Sequence, residues 1–438
     1  MRSTPTIWSC SPPPPSSGPP GRRSTPTGEL QGDLILVASG DLTMGGRDTP
    51  DGRIDFTPFD HGDANVNPLV TLTPQDPLAG LDSLARQVAA AGIRRVRGDV
   101  LIDARLFEQS AKDEYILTPI LINDTLIDLM IRPAAVGQPA TVDWRPRTAA
   151  YEVQSTARTV AAGGDAEVTT TSPRPGVILV EGAIPADAGE LVRVWQVEDP
   201  PAFARTLLIE ALGRQGVAVD AAPLGPNPAD ALPPVGGYTP ADRVALLPSL
   251  PFSEAIKRIN KVSMNVLADT LIMLLAAMNG ERTFDEGMAR LIPFVRKAEI
   301  DERTVSLSDG RGGLPTDLVS PRTTAHLLRY MATRPDFPAY FNSLPVFGVD
   351  GTATIVVPPT SPVAGKAVAK DGTLFATDVM NQRLMLMTRG HAGYLTGRSG
   401  REMVFALYVM YVPLLRVVDV IEIAEDLGSI VEVIYELT

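Results

Sequence analysis

Arg383-Leu384-Met385-Leu386-Met387-Thr388-Arg389, Ala392-Gly393-Tyr394-Leu395-Thr396 and Glu402-Met403-Val404-Phe405-Ala406-Leu407-Tyr408-Val409-Met410-Tyr411-Val412 follow one another near the end of this 438-residue chain. Each run is rich in β-branched, aromatic and long apolar residues, and only short turns separate them. Short connections suit antiparallel strands, because parallel ones need a crossover of a dozen or more residues. The three runs therefore predict an antiparallel meander. Residues 415–437 carry the apolar spacing of a helix able to pack on it. Upstream, residues 253–260, 265–279, 284–298 and 321–333 read as helices, the second ending at Gly280, a residue suited to a left-handed cap. Residues 249–438 are thus expected to be α/β (α+β), helices packed on an antiparallel sheet.

Working back from there, residues 221–241 are rich in Pro and Gly and read as a linker. Residues 202–216 form an amphipathic helix, and from 120 to about 197 apolar alternation is broken by Gly and Pro turns. Residues 84–91, closed by Gly92, give a helix before a buried strand at 95–103. Order begins at Gly32-Asp33-Leu34-Ile35-Leu36-Val37. The expected division is a disordered Pro/Ser-rich segment at 1–32, inserted domains at 33–248 with a β-rich subdomain at about 115–200, and 249–438. No repeat of solenoid or propeller period is present.

Composition excludes several classes. With 39 Lys and Arg against 51 Asp and Glu, the net charge is −12 and the pI about 4.9, so nucleic acid is not an expected partner. The single cysteine, Cys10, offers no disulfide or zinc framework. His61, His326 and His391 are far apart and lack a His-x-x-x-His spacing, so neither metal nor cofactor is expected. The longest apolar runs, 271–278 and 403–413, fall short of the ~20 residues that cross a bilayer. Residues 1–32 have no apolar core of a secretory signal.

For chemistry, no Gly-x-Ser-x-Gly elbow and no histidine with a clear acidic orienter occurs. A lysine-assisted serine scheme remains, which needs Ser-x-x-Lys at a helix start, a Ser-x-Asn loop and a Lys-[Thr/Ser]-Gly strand. Lys261-Val262-Ser263-Met264-Asn265 opens a helix, and Lys370-Asp371-Gly372-Thr373 precedes the terminal strands. Taken singly, Ser263 or Asn265 is equally a helix cap, and Lys370-Asp371-Gly372 a hairpin turn with a solvated lysine. No Ser-x-x-Lys occurs in the 438 residues: Ser110-Ala111-Lys112 and Ser253 to Lys257 have the wrong spacing. Without that spacing no lysine sits one helical turn behind a serine to take its proton.

Gly32-Asp33-Leu34 to Gly40-Asp41, Gly98-Asp99-Val100 to Asp103, Leu344-Pro345-Val346-Phe347-Gly348-Val349-Asp350-Gly351-Thr352 and Lys370-Asp371-Gly372-Thr373-Leu374 together resemble the class C low-molecular-mass penicillin-binding proteins. The resemblance runs from about Gly28 to the C-terminus. It implies a penicillin-binding transpeptidase/β-lactamase-like domain split by inserts, and a periplasmic or cell-surface D-alanyl-D-alanine carboxypeptidase/endopeptidase. Such an enzyme acts on peptidoglycan stem peptides through a serine acyl-enzyme, and β-lactams acylate the same serine.

Carried over by position, the resemblance makes Ser263 the proton shuttle to the leaving amine and Asn265 an amide for the substrate backbone. It makes Lys370 the lysine that steers the substrate carboxylate. It places Asp371, Gly372 and Thr373 at the substrate, with a backbone N–H at Thr373 completing an oxyanion hole. Asp309-Gly310 resembles a family loop near the site, or is a plain turn.

Asp371 stands where the family has Thr or Ser. A carboxylate ~4 Å from the substrate's own is expected to cost about 4 kcal/mol at an effective dielectric near 20. The first family motif would fall before Met1 or inside the Pro-rich segment, which suggests that residues 1–26 replace a true start. Two further readings stand beside the peptidase: a non-catalytic peptidoglycan- or protein-binding pseudoenzyme, and a serine esterase or amide hydrolase on the same scaffold.

Overall fold

The computed structural model describes residues 6–10, 28–112, 114–416 and 419–438. Two units result, one of Met1–Asp55 with His61–Pro251, the other of Phe56–Asp60 with Phe252–Thr438.

In the first unit, β2 (Asp33–Val37) buries Leu34, Ile35 and Leu36 and pairs in parallel with β3 (Val100–Asp103). On its other side β2 pairs antiparallel with β1 (Thr6–Cys10), which in turn meets β11 (Arg243–Leu246). Of the stretch expected to be disordered, Thr6–Cys10 and Glu29–Leu30 are therefore strands, and Thr6-Ile7-Trp8 has the β-branched and aromatic content that favours one. Residues 1–5 and 11–27 lie outside the described residues. Residues 95–103 are not one strand: Arg95–Val96 and β3 belong to different sheets. The break falls at Gly98, where a Cβ would stand 2.3 Å from Asp33 Oδ1 and 2.7 Å from the Gly32 carbonyl oxygen, so backbone passes backbone where only glycine fits.

Two helices share this core. α1 (Ala79–Ala90) contributes Leu81, Leu84 and Val88, and α2 (Pro200–Arg214) contributes Phe203, Leu207, Leu208 and Leu212. α2 starts where the sequence allows it to: Asp199 accepts from the Ala202 N–H at 3.0 Å and Pro200 lacks the donor that would be orphaned. The β-rich stretch makes two sheets. β4 (Leu126–Arg132) lies between β5 (Thr141–Arg145) and β10 (Leu191–Gln196), while β6 (Glu152–Ser155), β7 (Arg158–Val160) and β8 (Glu167–Thr171) all pair with β9 (Val177–Pro185).

One polar cluster is sealed inside this unit. His61, fully buried, has Nδ1 2.7 Å from Asp128 Oδ1 and Nε2 2.6 Å from Asp124 Oδ2. Arg47 Nη2 also lies 3.2 Å from Nε2. Arg145 Nε donates to Asp128 Oδ2 at 2.9 Å, and Arg145 Nη1 to the Thr73 carbonyl at 2.7 Å. Burial pushes the Asp128 carboxyl up, yet His61 and Arg145 hold it below the ordinary carboxylate value.

The second unit is built on an antiparallel meander, β12 (Ala367–Asp378), β13 (Arg383–Thr396) and β14 (Glu402–Pro413), but not of the three runs expected: 383–389 and 392–396 are one strand, β13, since Gly390 and His391 stay in register with β12 and β14, and the third strand is β12. Side chains alternate between its faces. Ala367 and Ala369 meet Phe347, Val356 and Val431 of α9 (Asp419–Leu437), whereas Val368 and Tyr394 meet Leu328 of α7 (Pro321–Ala332) and Phe337 and Phe341 of α8 (Phe337–Ser343). α3 (Phe252–Lys261) and α4 (Asn265–Met278) precede them. The expected single helix at 284–298 is two, α5 (Phe284–Ala289) and α6 (Leu291–Lys297). Pro293 explains it, since its ring collides with the carbonyl one turn back and removes a helix N–H.

Candidate active site

A short turn joins α3 to α4. Ser263 is held at φ 64°, a left-handed conformation that costs a non-glycine residue roughly 1 kcal/mol or more. Lys261, at the end of α3, explains how it is held. Its buried Nζ donates to both Asp350 carboxylate oxygens, at 2.8 and 2.6 Å, and to the Leu344 carbonyl at 2.7 Å. Gly351, at φ 59°, packs so closely on this turn that a Cβ would lie 2.4 Å from the Lys261 carbonyl oxygen. The Leu344 to Thr352 string thus forms the seat under Ser263. Asp60 and Phe56 add to it, Asp60 Oδ2 lying 3.7 Å from Arg258 Nη2 and the Phe56 ring 6.0 Å from Lys261 Nζ.

The N-cap of α4 is Met264, and no side chain caps this helix. Ser263 and Asn265 are therefore not used up as caps, and both are half-buried. Lys370 Nζ donates to Ser263 Oγ at 2.7 Å and to the Asp371 carbonyl at 2.5 Å. The chain thus brings together two residues 107 positions apart. Asn265 stands two residues beyond Ser263, and among the described residues its amide makes no side-chain hydrogen bond to either of them.

β12 is an edge strand whose outer side is covered only at its start. Phe347 donates to the Ala367 carbonyl at 3.0 Å and Ala369 donates to the Pro345 carbonyl at 2.9 Å. Since the hydrogen-bonding groups alternate along a strand, the Asp371 carbonyl and the Thr373 N–H also point off this edge. Beyond Ala369 no strand among the described residues pairs there. Gly372 adds nothing to obstruct it, and a Cβ at that position would meet no atom within 4 Å.

Asp371 behaves differently from the sequence expectation. Its side chain is buried, accepts from the Thr352 hydroxyl, and lies 3.2 Å from Arg389 Nη1 and 3.5 Å from Lys370 Nζ. Burial pushes its carboxyl up, but Lys370 and Arg389 hold it well below the usual carboxylate range. Arg389 thus balances the Asp371 charge, and it also donates to the Thr373 hydroxyl. His391 lies across from Asp371 in the register, fully buried, with neither ring nitrogen hydrogen-bonded. Burial and Arg389 push its imidazole down to about 4, so it is neutral.

Asp309 organises the loop after α6 by accepting from the N–H groups of Arg311, Gly312 and Gly313. Gly310 N–H donates to Asp269 of α4 at 2.7 Å, which ties this loop to the helix that follows Ser263. Sequence reasoning missed Lys261, Asp350 and Arg389. Lys261 and Asp350 lie inside quoted motifs, but nothing in either motif says that they meet.

The D-Ala-D-Ala carboxypeptidase 3 (S13) family matches residues 23–412. The chain belongs to that family. A D-alanyl-D-alanine carboxypeptidase of Actinomadura sp. is 28% identical over 414 residues, covering 89% of this chain and 66% of that protein. A D-alanyl-D-alanine carboxypeptidase DacB of Haemophilus influenzae is 28% identical over 167 residues, 37% of this chain and 32% of that protein. The chain spans about two thirds or less of the length of these curated relatives. In fold it is similar to penicillin binding protein 4 (dacB) from Haemophilus influenzae, with a TM-score of 0.65 at 17% identity, over 99% of this chain and 86% of that one. That likeness supports the mixed helix-and-sheet architecture expected from sequence. Among the described residues no helix is long and apolar enough to cross a membrane.

Proposed function

We propose that this S13 chain binds the D-alanyl end of peptidoglycan stem peptides in the cell envelope, as a serine-type D-Ala-D-Ala carboxypeptidase/endopeptidase does. The observation that carries this is the 2.7 Å contact of Lys370 Nζ with Ser263 Oγ beside the open edge of β12. A peptide strand laid on that edge would donate an N–H to the Asp371 carbonyl and place a carbonyl oxygen on the Thr373 N–H. The Lys370 ammonium attracts the peptide's terminal carboxylate. Because Lys370 donates to Ser263, the hydroxyl proton of Ser263 is free to pass to a leaving amine and be replaced from Lys370.

These residues supply recognition and proton relay. Acylation needs a serine with its own lysine, which the described residues do not supply, so the binding-only reading stands beside the peptidase reading. Intact-mass spectrometry with a labelled penicillin, alongside equilibrium binding of a D-Ala-D-Ala peptide, tests this. The expected result is no covalent adduct and saturable peptide binding weakened roughly tenfold or more in Lys370→Ala, the loss of a charge-assisted hydrogen bond. A fold-dependent adduct would overturn the binding-only reading, and peptide binding indifferent to Lys370→Ala would overturn the site.

A further inference from the structure

We propose that Thr352 is a positioning residue for the Lys370–Ser263 contact: by occupying one oxygen of the Asp371 carboxylate it keeps that carboxylate from drawing Lys370 off Ser263. The inference rests on the reading of Ser263 and Lys370 as a binding pair and adds the group that sets their contact. A lysine next to an aspartate has two kinds of acceptor within reach, and the ionised one is the stronger. Here the ammonium takes the others. Lys370 Nζ donates to Ser263 Oγ at 2.7 Å and to the Asp371 carbonyl at 2.5 Å, while Asp371 Oδ1 stays 3.5 Å away. That is too long for a strong charge-assisted bond.

The partners of the two Asp371 oxygens account for this. Oδ1 accepts from the Thr352 hydroxyl, and Oδ2 lies 3.2 Å from Arg389 Nη1. Thr352, Asp371 and Arg389 are all buried, so water does not compete for either oxygen. Arg389 is itself tied to the Thr373 hydroxyl, which fixes the Oδ2 side. For Oδ1, Thr352 is the one short-range donor among the described residues, and Lys370 is the next. Without the hydroxyl, a buried carboxylate oxygen loses its hydrogen bond, and the nearest group able to replace it is the Lys370 ammonium.

The place of Thr352 in the chain supports the role. It lies in the short turn Gly351–Ile355, two residues after Asp350, whose carboxylate takes the Lys261 ammonium at 2.8 and 2.6 Å. Residues 350 and 352 therefore hold the two partners separately, one through the turn that carries Ser263, the other through the strand that carries Lys370. Gly351 between them packs against the Lys261 carbonyl, which fixes the spacing of the two holds. An aspartate can stand beside Lys370 because the fold supplies both of its oxygens with other donors.

The test is a mutant cycle on the full chain, read by equilibrium binding of a D-Ala-D-Ala peptide and by acetylation of Lys370 with acetic anhydride, followed by peptide mapping. Thr352→Val keeps the shape and removes the donor. It is expected to weaken peptide binding roughly fivefold or more and to slow acetylation at Lys370 several-fold, because an amine drawn onto a carboxylate is held in its charged, unreactive form. Thr352→Ser returns the hydroxyl and is expected to restore both. In an Asp371→Asn background Thr352→Val is expected to change neither by more than about twofold, whereas a merely structural loss would persist there. Should Thr352→Val fail to fold, Thr352→Ala takes its place. Acetylation needs no ligand, so the expected acetylation pattern with peptide binding indifferent to every variant supports the positioning role while overturning the peptide reading. Unchanged acetylation in Thr352→Val, no recovery in Thr352→Ser, or a loss of equal size in the Asp371→Asn background overturns the positioning role.

Discussion

In the first unit His61 has a carboxylate on each ring nitrogen; in the second, His391 is equally buried and has none. The same side chain thus bridges two carboxylates in one place and is a neutral filler in the other. The surroundings decide which. Asp124 and Asp128 reach His61 from β4 and the turn before it, and their combined charge repays the desolvation of the ring. Beside His391 the nearby carboxylate, Asp371, is already engaged by Thr352, Arg389 and Lys370, so protonating the ring would add a third cation to one anion. A buried histidine is therefore informative only through what its carboxylate neighbours are doing.

The sharpest way to break this comparison is to remove His61. His61→Ala removes the ring that Asp124 and Asp128 share in the core, and unfolding in urea is expected to show a loss of about 3–5 kcal/mol. A loss below about 1 kcal/mol would mean that the two carboxylates do not depend on the ring.

Acid provides the next largest effect. The ordinary histidine value is 6.5 and His391 is held at about 4 in the folded chain. As pH falls through 6.5 the unfolded chain takes up this proton first, so stability drops between 6.5 and 4, by up to about 3 kcal/mol. His391→Leu should flatten that part of the stability profile. Asp128 acts in a lower window: its folded value is depressed, so its contribution is present above the ordinary carboxylate value and disappears as pH falls below it.

Asp371→Asn should cost about 2 kcal/mol, because Arg389 and Lys370 lose an ionised partner. Measured by equilibrium binding, the same variant should hold an anionic peptide several-fold more tightly, since the positive charge near Ser263 rises by one. Unchanged affinity would show that the Asp371 charge is fully screened from the β12 edge. The smallest effect is expected for His391→Leu near pH 7, within about 1 kcal/mol, because an unpaired ring is exchanged for an apolar side chain of similar size.

Much of the second unit was legible in the sequence. Short turns between apolar runs are a local signal, and β14 and α4 lie close to where that signal put them, but the turn read between Arg389 and Ala392 does not exist: both runs belong to β13, and the third strand is β12. The motif residues Ser263 and Lys370 were legible through their order along the chain, although their contact was not. Long-range partners were the blind spot. Lys261 and Asp350 lie 89 residues apart, and neither periodicity nor composition records which lysine meets which aspartate. Asp371 shows the same limit from the other side: the sequence shows a charge beside Lys370 but not the strand face on which Arg389 takes it up. The break at Pro293 was available in principle, since proline inside a helical pattern is a local signal.

Phe56–Asp60 belongs to the second unit although the chain on both sides belongs to the first. During synthesis Asp60 emerges about 200 residues before Arg258, which at roughly 5–20 residues per second is a delay of about 10–40 s. For that time the five-residue segment has to wait, uncommitted, while the unit around it collapses. A gene cut before residue 252 to release the second unit alone would omit it, and the product would have to build the seat of Ser263 without Asp60 and Phe56.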